Sequence, residues 1–286
     1  MGRKKLVRKS EPPAKRGIPW PRWTGFHGMT LRSWLELLVV PLALVVISFL
    51  FTAQQDQRQQ RTETQRAEAE QELAGQRAQD EALQAYLSQM GSLLKEKDLR
   101  ESKEDSKVRT LARARTLTVL GRLDPSRKTA AMQYLVEAEL VQRAEGRGPI
   151  IPLTGANLSG AYLPNADLVD ANLSGAYLPN ADLVDANLSG AYLSSANVSA
   201  AYLNEANLSA AILFDANLRG AVLDDANLSD AKGITNEQLS AAWSLVGATM
   251  RDGQTLKSAA NPDGPTFEEW LKSKDQGEKK KSAGSS

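Results

Sequence analysis

The chain has 286 residues, with 35 Lys and Arg against 34 Asp and Glu, and it contains no Cys. The missing cysteines exclude disulfides, thiolate catalysis and a Cys-based zinc site. The net charge of +1 is a cancellation between segments, since residues 1–33 hold nine Lys and Arg against Glu11, whereas residues 156–230 hold nine acidic residues against Arg219 alone. Composition that changes this sharply along a chain argues against one compact globule.

Residues 1–33 read as a basic disordered tail carrying Trp20, Trp23, Phe26 and the single histidine, His27. Residues 34–53 read as a transmembrane helix, because no charge occurs from Leu37 to Ala53 and twenty residues from Trp34 match the ~30 Å apolar thickness of a bilayer. A buried core helix is the alternative, but both flanks are too polar to cover it. The positive-inside tendency favours a cytoplasmic N-terminus and an external repeat domain over the reverse. The contrast near the span is modest, with Lys15, Arg16, Arg22 and Arg32 before it and Arg58, Arg61 and Arg66 after it.

Residues 54–148 are expected to form a helical stalk and a helical hairpin. Leu83, Leu87, Met90 and Leu94 make a short heptad seam that offers self-association, although no seam extends further back. Two more helices are predicted, Ser106 to Leu123 and Ser126 to about Arg143, broken at Asp124-Pro125. Arg109, Arg113, Arg115 and Arg122 give the first of these a basic face, read as solvated in preference to a lipid or nucleic-acid site.

From Ala156 to Asp230 the chain repeats a five-residue unit fifteen times, with Ala first and an aliphatic residue third. The third-position column is Leu158, Leu163, Leu168, Leu173, Leu178, Leu183, Leu188, Leu193, Val198, Leu203, Leu208, Leu213, Leu218, Leu223 and Leu228. A helix at 3.6 residues per turn would spread such a column around all faces. In an extended segment positions one and three share a face, and the remaining residues turn a corner, so the pattern predicts a coil with the column as its structural core. Residues 157–171 recur unchanged at 172–186. A three-unit copy in a four-unit coil is displaced by a quarter of the circumference, which argues against a precise column of outward recognition residues in this stretch.

The coil is bounded at 149–233. Gly233 falls where the next aliphatic residue was due, and Thr235 to Gln238 has the form of a capping box, so 234–256 reads as a capping helix to about Ser244 followed by a final strand. Leu239, Ala242 and Trp243 are expected to lie over the last coil, with Thr235 and Gln238 as the capping pair. Residues 257–286 read as a mostly disordered tail.

The A(D/N)LXX units resemble the pentapeptide repeat family. The resemblance implies a mainly β fold, a right-handed quadrilateral β-helix of twenty residues per coil, here preceded by a transmembrane helix and an α-helical stalk and hairpin. Anchor, helices and repeats together, over residues 30 to 250, are similar to a group of single-span bacterial membrane proteins of actinobacterial type. Some family members, the quinolone-resistance proteins, bind gyrase through an acidic DNA-like surface.

No phosphate loop, dinucleotide fingerprint, nucleophile elbow or metal-spaced cluster occurs, and His27 has no partner in the sequence. No enzyme activity, cofactor, metal or nucleic acid is expected. The favoured function is a membrane-anchored scaffold displaying the coil to a protein partner and touching membrane lipid. The alternatives are a cytoplasm-facing DNA mimic that regulates gyrase or topoisomerase, and a membrane sensor signalling through the helical segment.

Overall fold

The computed structural model describes residues 31–96, 99–143 and 147–274. The rest of the basic tail, including His27 and its neighbouring aromatics, and the closing residues 275–286 lie outside the described residues. The chain divides into two compact units, Met1–Glu72 and Leu73–Ser286.

Helix α1 (Leu31–Glu96) merges the expected span and stalk into one element. Neither Gly75 nor Gly91 interrupts it, and Pro41 lies inside it. In the first unit its apolar side chains from Leu35 to Phe51 are all exposed. This helix is long and apolar enough to cross a membrane.

In the second unit, the end of α1 packs with α2 (Lys107–Arg122) and α3 (Pro125–Glu137). Ser106 caps α2, accepting from the Arg109 N–H. Asp124 caps α3 and Pro125 occupies its first turn, so the dipeptide read as a break is the start signal of the next helix. The seam expected for self-association is used within the chain. Met90 is buried, and Leu83, Leu87 and Leu94 pack against the same core as Leu120, Met132 and Leu135. The Tyr86 hydroxyl pairs with Thr116 Oγ1 at 2.9 Å, and burial raises the Tyr86 pKa despite that bond.

Helix α3 ends six residues before the expected Arg143. Glu139 adopts φ 53°, with its N–H on the Val136 carbonyl and the Leu140 N–H on that of Leu135, which is a Schellman closure with Glu in the usual glycine position. The chain then turns inward, burying Leu140 and Val141, and the Ile151 N–H reaches the Leu140 carbonyl at 2.7 Å.

Asp80 and Asp124 both grip Arg127, with Arg127 Nε at 2.7 Å from Asp80 Oδ1. The Arg127 hydrogen bond lowers the Asp80 pKa. Burial pushes Asp124 up, but the Arg127 N–H and guanidinium outweigh it and leave it lowered. A depressed folded-state carboxylate pKa adds stability that is present above the unfolded value of about 3.9 and is lost as pH falls through the folded value. Asp80→Asn should therefore destabilise the helical unit at neutral pH, and its unfolding curve should merge with that of the unaltered chain under acid. A gap that persists below the folded pKa would show that the ion pair is not its source.

The repeats wind into a coil of four units per turn. From Asn157 to Lys232 the bridges join position two of a unit to position two of the unit twenty residues on, in parallel, as in Asn157 to Tyr177 and Tyr162 to Asp182. Within each interior unit, the position-two N–H donates to the preceding turn and the position-three N–H to the following one, as in Tyr177 to Ala156 (2.8 Å) and Leu158 to Tyr177 (2.7 Å). No extended strand forms among the described residues of the repeats, only single bridges. A corner every five residues leaves too short a straight run.

The fifth residue of every unit sits near φ +60°, whether it is Asn165, Asp170, Glu205 or Gly220. The left-handed region is costly for residues other than Gly, Asn and Asp. Ala200 (φ 53°) and Ala210 (φ 56°) occupy it with no side chain to compensate. Ala200→Gly and Ala210→Gly are each expected to stabilise the coil by about 1 kcal/mol, read as a higher denaturation midpoint. A loss in both would show that the corners tolerate Ala without strain.

Candidate functional site

A coil offers an interior, two ends and its side faces, and the sequence decides what each can do. The interior is filled. The column from Leu158 to Leu228, Val198 included, is at most 3% exposed, and the first-position alanines are buried apart from the half-buried Ala166.

The first turn leaves backbone groups with no preceding turn to bond, and the helical unit answers several of them. Arg113 donates from Nε to the Pro152 carbonyl (3.3 Å) and from Nη2 to that of Thr154 (3.1 Å). Lys128, 4% exposed, donates to Asn157 Oδ1 (3.1 Å) and Ser159 Oγ (3.0 Å). Burial lowers the Lys128 pKa, partly offset by the Asp124 charge. Thr129 Oγ1 accepts the Tyr162 N–H at 2.9 Å, and Gln142 Nε2 donates to the Asp167 carbonyl at 2.9 Å. The helices expected to be a separate hairpin are thus the cover of the coil. The basic face of α2 is only partly solvated, because Arg109 is buried and Arg113 is spent on carbonyls.

The other end is closed in three layers. Helix α4 (Asn236–Ser240) carries the reciprocal capping box of Thr235 and Gln238, with the Gln238 N–H on Thr235 Oγ1 at 3.2 Å and the Thr235 N–H on Gln238 Oε1 at 2.7 Å. Gln238 Nε2 also donates to the carbonyls of Leu213 (3.0 Å) and Ala216 (2.7 Å), so one side chain caps its helix and the coil edge. This helix stops four residues before the expected Ser244. Leu239 is buried, but Trp243 is 81% exposed.

The repeat then resumes. Trp243 to Gly247 and Ala248 to Asp252 are two further units, with Leu245, Ala248 and Met250 buried, Ser244 bridging Val222, and Thr249 bridging Asn227. Their offset is 22 residues, so a strict period of five does not find them; the aliphatic third positions and Gly247 do. Last, residues 257–274 are ordered where a disordered tail was expected. Helix α5 (residues 267–274) opens on a Thr266–Glu269 capping box and buries Trp270 completely. Trp270 stacks on Phe267 at 5.9 Å, has Arg251 (5.8 Å) and Lys274 (5.5 Å) over its ring, and donates Nε1–H to Asp252 Oδ1 at 3.2 Å. Asp252 also pairs with Lys274.

The side faces remain open. Their columns mix residue types, for example Tyr162, Asp182, Tyr202 and Val222 on one face and Asp167, Asn187, Asn207 and Asn227 on another. On the latter, Asn207 and Asn227 form an amide ladder, each donating to the asparagine one turn before it at 3.3 and 3.4 Å. Tyr162, Tyr177, Tyr202 and Phe214 are about half exposed. Eight of the nine acids of the repeats have a local task. Asp170, Asp185, Asp215, Asp225 and Asp230 hold left-handed corners, where Glu205 also lies without the short side chain that suits one. Asp167 and Asp182 accept the N–H two residues on, and Asp224 accepts that of Val246. Among the described residues no group of three or more His, Cys, Asp and Glu side chains is placed to hold a metal ion.

Comparison with known proteins returns the repeats. A family model for pentapeptide repeats matches residues 153–190 and 191–230 with eight copies. No curated protein matches the chain. Among solved structures, HetL, a pentapeptide repeat protein involved in heterocyst differentiation regulation from the cyanobacterium Nostoc sp. strain PCC 7120, is 34% identical. The match covers 37% of this chain and 53% of HetL with a TM-score of 0.28, so the chain spans about half of that protein. Rfr23 from the cyanobacterium Cyanothece 51142 is 31% identical, over 38% of this chain and 96% of Rfr23, with a TM-score of 0.19. QnrB1, a plasmid-mediated fluoroquinolone resistance protein, is 20% identical over 32% of this chain and 44% of its own length, with a TM-score of 0.20.

Proposed function

Because the chain belongs to the pentapeptide repeat family, we propose that its coil is that family's right-handed quadrilateral β-helix and that the protein is a membrane-anchored, non-catalytic scaffold presenting this coil to a protein partner. The observation that carries the reading is the helix α1 surface, where every apolar side chain from Leu37 to Phe51 is exposed over a run without charge. Such a surface is stable against lipid and costly against water. Both ends of the coil are occupied by the chain's own caps, which supports recognition through the side faces and their half-exposed tyrosines. On this reading the N-terminus is cytoplasmic and the coil external, and lipid is the first partner.

A reporter fused after Ser286 tests the orientation, and cross-linking in membranes tests the partner. An external terminus and partners lost on deleting residues 149–256 are the expected results; partners unchanged by that deletion would sink the scaffold reading. The second reading, a cytoplasm-facing DNA mimic directed at gyrase, draws on the acidic excess of the repeats. The local roles of those acids weaken it, and an external terminus would exclude it.

A further inference from the structure

We infer that a cavity between α2 and the start of the coil binds a small organic monocarboxylate. The cavity is partly open, has a volume of about 350 Å³ and is lined by Arg109, Arg113, Glu104, Pro149, Ile150 and Pro152, among others. That volume is within the range of small-molecule sites.

Arg109 carries the argument. Its side chain lies 5% exposed at the start of α2, it is charged at any physiological pH, and its Nη1 has no hydrogen-bond partner. A buried cation left without a partner is costly unless something supplies the missing acceptor. Neither Arg109 nor Arg113 forms an ion pair with a described residue.

Both guanidinium groups are already positioned. Arg109 Nε donates to Ser102 Oγ at 3.3 Å, and Arg113 is tied to the carbonyls of Pro152 and Thr154, so little conformational freedom is left to lose on binding. Planar guanidinium donors suit a carboxylate or a phosphate equally. Charge and lining separate the two. Two arginines against the Glu104 carboxylate, which is held by the Gly148 N–H at 2.7 Å, leave one positive charge, the complement of a monoanion. The wall of Pro149, Ile150 and Pro152 suits a short apolar body behind the acid group. Butyrate is the simplest probe of this class, and nothing in the inference depends on whether the chain is a scaffold.

The test is titration calorimetry of the full chain in detergent micelles with sodium butyrate, against sodium chloride at equal ionic strength and against inorganic phosphate. Saturable binding of butyrate in preference to both is expected. Arg109→Met should weaken it by about tenfold or more while leaving the melting temperature of the free protein unchanged or higher, because an uncompensated buried charge is removed. Glu104→Gln, at an exposed position, keeps the acceptor for Gly148 and should tighten binding by roughly threefold. Butyrate heats no different from chloride, or an Arg109→Met chain that binds as before, would overturn the site. Stronger binding of phosphate would overturn the ligand class, and unchanged affinity in Glu104→Gln would overturn the charge argument even if Arg109→Met fails to fold.

Discussion

Leu188→Ala is expected to cost about 2–5 kcal/mol of stability and to do so for the whole coil. Leu188 lies midway along the column and is 1% exposed, with turns of identical construction above and below it. Neighbouring turns hold it at both edges, since its N–H donates to the Asn207 carbonyl at 2.7 Å and the Asn187 carbonyl accepts from Leu168 at 2.8 Å. The wall cannot close over the lost volume without breaking those bonds, so the cavity persists and adds to the lost burial. In a linear array where each turn touches only its neighbours, a weak interior turn also uncouples the segments on either side. Denaturant unfolding of the full chain in micelles, followed by circular dichroism, should show an earlier midpoint and a broader transition. A change below about 0.5 kcal/mol, the scale of surface substitutions, would show that the column is not tightly packed.

Trp270→Ala is expected to cost about 3–5 kcal/mol, but locally. The indole is completely buried, stacks on Phe267, contacts two cations and donates to Asp252. Without it, Lys274 and Arg251 lose their aromatic contact, and helix α5 has no other fully buried anchor among its described residues. Hydrogen exchange should accelerate at Leu256 and Met250 while the Leu158 to Leu193 column stays protected. Uniform acceleration along the coil would mean that the last cap holds the whole array. Unchanged exchange would mean that Trp270 is not a cap.

Where the sequence was legible, the reason was repetition or an unambiguous local signal. Fifteen units in register left the period and the buried column readable. The capping box at Thr235 and Gln238 was readable because both partners lie three residues apart. The remainder turned on features that a linear pattern does not mark. Helix α3 stops at Glu137 without a glycine, since Glu139 takes the left-handed position itself. The two units after α4 are displaced by two residues, which hides them from a count by fives. Lys128 and Thr129 on α3 and Gln142 just beyond it are ordinary polar residues until the coil edge is placed against them, and their role depends on partners 25 to 33 residues away. Trp270 sits in a polar stretch whose single aromatic pair gives little sign of a core.

The four units per turn have a bearing on how such a chain changes length. Adding one unit of five preserves every inward alanine and leucine, but it rotates the C-terminal cap by a quarter turn relative to the helices that cover the first coil. Adding four units restores the angle and only lengthens the distance between them. Growth in this fold therefore tunes two separate quantities, separation and azimuth, and an exposed Trp243 can be aimed in four directions without touching the core.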